Sequence, residues 1–100
     1  MAKLITVFWR DIPAQVIAKE RRESVKVKLP ERFADAIDRA AMRAGKGTSD
    51  AYLADWRRVT VACTADLKTE AETLAAKYEQ EYDKERLLAL IRNKGDEPKA

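Results

Sequence analysis

Small proteins usually build reactive centres from an imidazole, a set of thiolates or a loop that grips phosphate. In these 100 residues histidine is absent and Cys63 is the one cysteine. Without an imidazole there is no Ser-His-Asp or Cys-His arrangement, and one thiol cannot assemble a zinc or iron–sulfur site. The glycines stand at 45, 47 and 95, spacings that write neither a Walker loop nor a dinucleotide fingerprint. Carboxylates remain. The pairs Asp35/Asp38, Glu70/Glu72 and Glu79/Glu81 would need a water-poor pocket to split their pKa values, and they fall on helix faces that read as solvated. Arg10 and Asp11 follow Trp9 at a strand end, where functional residues often sit, but a salt bridge is the simpler account of them. The sequence thus leans away from catalysis, with no catalytic residue, metal ligand or cofactor expected.

Binding a partner asks for other residues. Aromatic and arginine side chains give large contact area and several donors at modest entropic cost, and Trp9, Arg10, Tyr52, Trp56, Arg57 and Arg58 form such a set. Core packing for the aromatics and solvation for the arginines explain any one of them; the group as a whole points to a protein partner. The net charge of +3 is unevenly placed: the first thirty residues carry seven basic and three acidic side chains, the other seventy carry thirteen and fourteen. The positive field belongs to the N-terminal third; it suits an acidic protein face or nucleic acid, but an excess this small implies neither on its own.

These residues need a scaffold. At 46% apolar and 37% charged the chain reads as globular and soluble, and no apolar run approaches the ~20 residues of a membrane span. An unpaired thiol and the lack of a signal-peptide pattern point to the cytoplasm. One domain is expected over residues 1–95, with 96–100 a frayed polar tail. Leu4 to Trp9 reads as a strand apolar on both faces, either central or covered by helices on one side and a partner on the other. Asp11-Ile12-Pro13 should turn the chain into a second, antiparallel strand from Ala14 to Ala18, and Lys19 to Glu23 reads as a charged, solvated loop or strand end. Val25, Val27 and Leu29 alternate with Ser24, Lys26 and Lys28 in a third, half-wet strand. A Pro30-started helix runs towards Gly45, and Thr48 or Ser49 caps a shorter one bearing Tyr52, Leu53 and Trp56. Val59 to Cys63 has strand composition but would also extend a flanking helix. Thr69 and Glu72 offer a capping box, and Leu67, Ala71, Leu74, Tyr78 and Tyr82 form one stripe of a long C-terminal helix, which Leu87 to Ile91 either continue or follow as a final short one. The fold class is α+β, a three- or four-stranded, mainly antiparallel sheet covered by helices.

Two resemblances add to this reading. The order of strand, Pro-started helix, Gly turn and capped helix over Ser24 to Arg58 resembles a ribbon–helix–helix DNA-binding module. By that resemblance Ser24, Lys26 and Lys28 would face bases and Thr48 and Ser49 phosphate. More widely, KLITVFWRDIPAQVIAK, LPERFADAIDRAAMRAG and TSDAYLADWRR, within residues 3–58, resemble the small bacterial family labelled "virulence factor". That resemblance implies no catalytic residue set. It implies an association with one-carbon enzymes, methylenetetrahydrofolate reductase and corrinoid methyl-transfer proteins among them. The expected role is a non-catalytic accessory subunit of cytoplasmic metabolism that binds a protein; a DNA-binding regulator is the alternative, and the oligomeric state is open.

Overall fold

A computed structural model describes residues 2–45 and 49–97. Four strands form one antiparallel sheet in the order β3-β2-β1-β4: β1 is Ala2–Trp9, β2 Ile12–Glu20, β3 Glu23–Lys28 and β4 Trp56–Cys63. Four helices complete the chain: α1 Glu31–Arg43, α2 Ser49–Ala54, α3 Leu67–Glu81 and α4 Lys84–Arg92. The segment from Val59 to Cys63 is therefore extended, and Trp56 opens a strand instead of closing a helix.

Both hairpins are tighter than the sequence predicts. Their connections are two residues long, Arg10-Asp11 and Arg21-Arg22, and the first residue of each is left-handed, at φ 54° and 52°. Arginine is an uncommon choice there, since a Cβ in that region costs about 1 kcal/mol. The charged run Lys19 to Glu23 is accordingly mostly strand. Pro13 sits within β2, where Val7 pairs with Gln15 but Phe8 pairs with Pro13, leaving Ala14 as a bulge. Pairing with β3 begins only at Gln15, so the missing Pro13 amide breaks no bond to that neighbour.

The face of β1 bearing Leu4, Thr6 and Phe8 packs under α3. The Thr6 and Tyr78 hydroxyls lie 2.8 Å apart, and the Phe8 and Tyr78 rings meet edge to face. Asp66 caps α3 by accepting from the Thr69 amide, so Thr69 is capped and is not itself the cap. A second cap, Asp83 accepting from the Arg86 amide, starts α4 and splits the apolar stripe into two helices. Helices α1 and α4 pack together and close the hairpin end of the sheet, where Trp9, Ile12, Phe33 and Leu90 are wholly buried. No described helix is long and apolar enough to cross a membrane.

Candidate functional site

At the hairpin end, five of the six anchor residues come together, largely to hold the protein itself. Trp9 is fully buried, stacks on Tyr52 and donates its indole N–H to the Tyr52 carbonyl at 2.9 Å. Tyr52 meets Trp56 edge to face. The Arg10 guanidinium lies over the Trp9 ring, 3.2 Å from Asp55 Oδ2, and donates to the Lys94 carbonyl at 2.8 Å. Asp11 is engaged on every side: Oδ1 receives Arg57 at 3.0 Å, Oδ2 receives the Glu97 amide at 2.7 Å, and its own amide donates to the Gly95 carbonyl. Arg57 also donates to the Arg10 carbonyl and covers the Phe8 ring.

The chain end completes this clasp. Arg86 lies over the Tyr82 ring and bonds Glu97 at 2.7 Å, a bond that raises its pKa, while burial raises that of the Tyr82 hydroxyl. Asp96 and Glu97, read from the sequence as part of a fraying tail, are thus bonded to the body of the protein; residues 98–100 lie outside the described residues. The carboxylate of Asp11 is committed to structure, with Arg57 and a backbone amide as its partners.

The sixth anchor, Arg58, points the other way. Alternation and register place Lys3, Ile5 and Val7 of β1, Gln15, Ile17 and Lys19 of β2, Ser24, Lys26 and Lys28 of β3, and Arg58, Thr60 and Ala62 of β4 on the face opposite α3. No helix among the described residues covers the centre of this face. Ile5, Ile17, Lys19, Ser24, Lys26 and Arg58 line a shallow concavity of about 250 Å³ upon it. Five of the twelve side chains are basic and none is acidic, and none of the five cations makes an ion pair among the described residues. Ile17 is nonetheless buried, with 7% of its surface exposed. At its hairpin end the face runs into a groove between α1 and α2 lined by Gln15, Lys28, Leu29, Ile37, Tyr52 and Trp56.

The strand expected to be apolar on both faces therefore has one face under α3 and the other open. Ile5 and Val7 are half-buried on the open side beside bare cations. Of the residues that the ribbon–helix–helix resemblance selects, Ser24, Lys26 and Lys28 are exposed on this face along an edge strand, whereas Thr48 lies outside the described residues and only the backbone of Ser49 is described, at the start of α2. Cys63 is half-buried at the end of β4, with burial, then Glu70 and Glu20, raising its pKa and keeping the thiol protonated near neutrality. Among the described residues no group of three or more Cys, Asp or Glu side chains could hold a metal ion.

The sequence model of the family described as "Virulence factor" matches residues 7–91. The chain belongs to the virulence factor family. The match runs from Val7 in β1 to Ile91 in α4 and so takes in all four helices and most of the open face and the clasp, leaving out Lys3 and Ile5 of the face and Gly95 and Glu97 of the clasp. No curated protein and no solved structure matched this virulence factor family member.

Proposed function

We propose that the protein is a non-catalytic binding module of cytoplasmic metabolism whose open sheet face receives an acidic surface of a partner protein. One observation carries this reading: an uncovered four-strand face with five cations that make no ion pair among the described residues, no carboxylate, and an apolar centre of half-buried Ile5 and Val7 beside buried Ile17. Bare cations flanking an apolar patch fit a partner that brings carboxylates around an apolar ridge, since charge steers the encounter and apolar burial holds it. The family resemblance makes one-carbon enzymes, methylenetetrahydrofolate reductase or corrinoid methyl-transfer proteins, the first partners to try.

Nucleic acid is the rival occupant, supported by the exposure of Ser24, Lys26 and Lys28 on β3. Against it, four strands at ~4.8 Å spacing with their side chains are broader than the ~12 Å major groove, and no aromatic ring stands at the centre of the face to stack on a base. The deciding experiment is affinity capture from the native host with the wild-type chain and with Lys19→Glu/Lys26→Glu/Arg58→Glu as parallel baits. Stoichiometric recovery of one enzyme by the wild type and its loss with the variant supports the reading. Recovery of DNA alone, confirmed by an operator-dependent gel shift that weakens steeply with salt, replaces it with the regulator.

A further inference from the structure

The two edges of the sheet are built differently. At one edge, β3 is six residues long and carries Glu23, Ser24, Lys26 and Lys28, the polar and charged side chains that keep a strand edge from pairing. At the other edge, β4 is eight residues long, and Arg57 to Ala62 are all exposed, so neither face of this strand is covered. Its middle, Val59-Thr60-Val61-Ala62, has no charge, proline or bulge, and Val59 and Val61 are 40% and 52% exposed. An edge strand that is bare on both faces, with an uncharged, β-branched middle, is a template for another strand.

The sequence of β4 also selects what pairs with it. We propose that β4 joins β4 of a second copy of this chain, antiparallel about Thr60, making one eight-stranded sheet across a two-fold axis. In this register Thr60 faces its own counterpart, Val59 faces Val61 of the second copy, Arg58 faces Ala62 and Arg57 faces Cys63. No arginine is set against an arginine: the two Arg58 residues are offset by four positions, about 14 Å along the strands, beyond the ~8 Å Debye length at physiological salt. An axis moved to Arg58 would oppose the two guanidinium groups directly. The Thr60 axis leaves both α3 helices on one side of the sheet, where four valines meet, and both basic faces on the other. The interface is isologous, so it closes at the dimer instead of growing into a fibre.

This inference is independent of the partner proposed for the open face, and salt separates the two. Dimerisation sets two basic faces side by side, so its constant rises with ionic strength. Docking of an acidic partner weakens with ionic strength. Strand-edge pairing is small beside a standard interface, which puts the dimer in the micromolar range.

The test is sedimentation equilibrium of the purified chain over ~1–500 μM at low and high salt, alongside Val61→Lys and Thr60→Cys/Cys63→Ser. The expected results are a monomer–dimer equilibrium strengthened by salt, a tenfold or greater loss of association in Val61→Lys, and a disulfide-linked dimer of Thr60→Cys/Cys63→Ser, because directly opposed antiparallel residues lie within disulfide reach. Circular dichroism of Val61→Lys shows that the monomer is intact. A chain monomeric throughout this range, or a dimer that Val61→Lys leaves unchanged and Thr60→Cys/Cys63→Ser does not cross-link, overturns the proposal.

Discussion

Substituting Gly95 with alanine should be among the most damaging single-methyl changes this chain can accept. Gly95 has φ 94°, and a Cβ built there would lie 2.6 Å from Cζ3 and 3.1 Å from Cε3 of Trp9. Carbon atoms prefer about 3.5–4.0 Å, so the indole must shift by close to 1 Å or Gly95 must retreat. Neither moves freely, since Trp9 is stacked on Tyr52 and tied through its N–H, while the Gly95 amide donates to the Leu90 carbonyl at 2.7 Å and its carbonyl receives the Asp11 amide. Gly45 provides the control, because it too is left-handed, at φ 73°, but a Cβ there meets nothing within 4 Å. Gly45→Ala therefore carries only the backbone cost, about 1–2 kcal/mol less the ~0.4–1 kcal/mol returned by a stiffer unfolded chain. Gly95→Ala adds overpacking of a further ~1–3 kcal/mol, for a total of about 2–4 kcal/mol. In a chain of this length each kcal/mol moves Tm by roughly 4–8 °C, so Gly95→Ala should melt at least about 8 °C below the wild type and Gly45→Ala only a few degrees below it. Thermal and urea melts followed by circular dichroism and tryptophan fluorescence measure both. Equal losses in the two variants would refute the packing of the chain end against Trp9.

The Thr6–Tyr78 hydrogen bond, part-buried between sheet and helix, gives a second test. Tyr78→Phe should cost about 1 kcal/mol by leaving the Thr6 hydroxyl unsatisfied, and Thr6→Val in the same chain should return much of it; a urea-melt double-mutant cycle that is simply additive contradicts the contact. Alkaline titration gives a third. The raised pKa of Tyr82, caused chiefly by burial, means that the folded chain holds this proton more tightly than the unfolded one, so stability is full below the ordinary tyrosine value of about 10 and falls as pH rises through the folded value. Stability measured against pH should decline above about 10, and less steeply in Tyr82→Phe. Fourth, Asp11→Asn removes the charge that holds Arg57 and weakens the bond to the Glu97 amide, costing about 1–2 kcal/mol by the same melts. It should leave capture of a partner by the open face unchanged.

What the sequence made legible follows from periodicity. The alternation from Ser24 to Leu29 located β3, and Pro30, Phe33, Ile37 and Gly45 bounded α1. Harder to read were features set by distant partners. Neither two-residue turn carries glycine or asparagine: at Arg10 the bonds to Asp55 and Lys94, residues 45 and 84 positions away, offset the left-handed strain, while nothing in the structure explains Arg21 at the second turn. Trp9 and Arg10 stood out as anchors by type, but only the fold shows that they are spent on the clasp. The open face is not legible as a unit because its cations come from four strands. Alternation marks Lys26 and Lys28 as a wet face and Ile5 and Val7 as an apolar one, yet only the strand order β3-β2-β1-β4 puts them side by side with Lys19 and Arg58. The charge excess of the first thirty residues and the apolar character of both faces of Leu4 to Trp9 are the signals that point there.

Binding of the purified partner to the wild-type chain and to Lys19→Glu/Lys26→Glu/Arg58→Glu, titrated at low and high salt, bears most directly on the open face. At roughly 1 kcal/mol or more per reversed charge, the variant should bind about a hundredfold more weakly, and the wild-type affinity should fall with salt while the residual affinity of the variant does not. Undiminished binding by the variant, or a loss produced instead by Asp11→Asn, would place the partner elsewhere on the molecule.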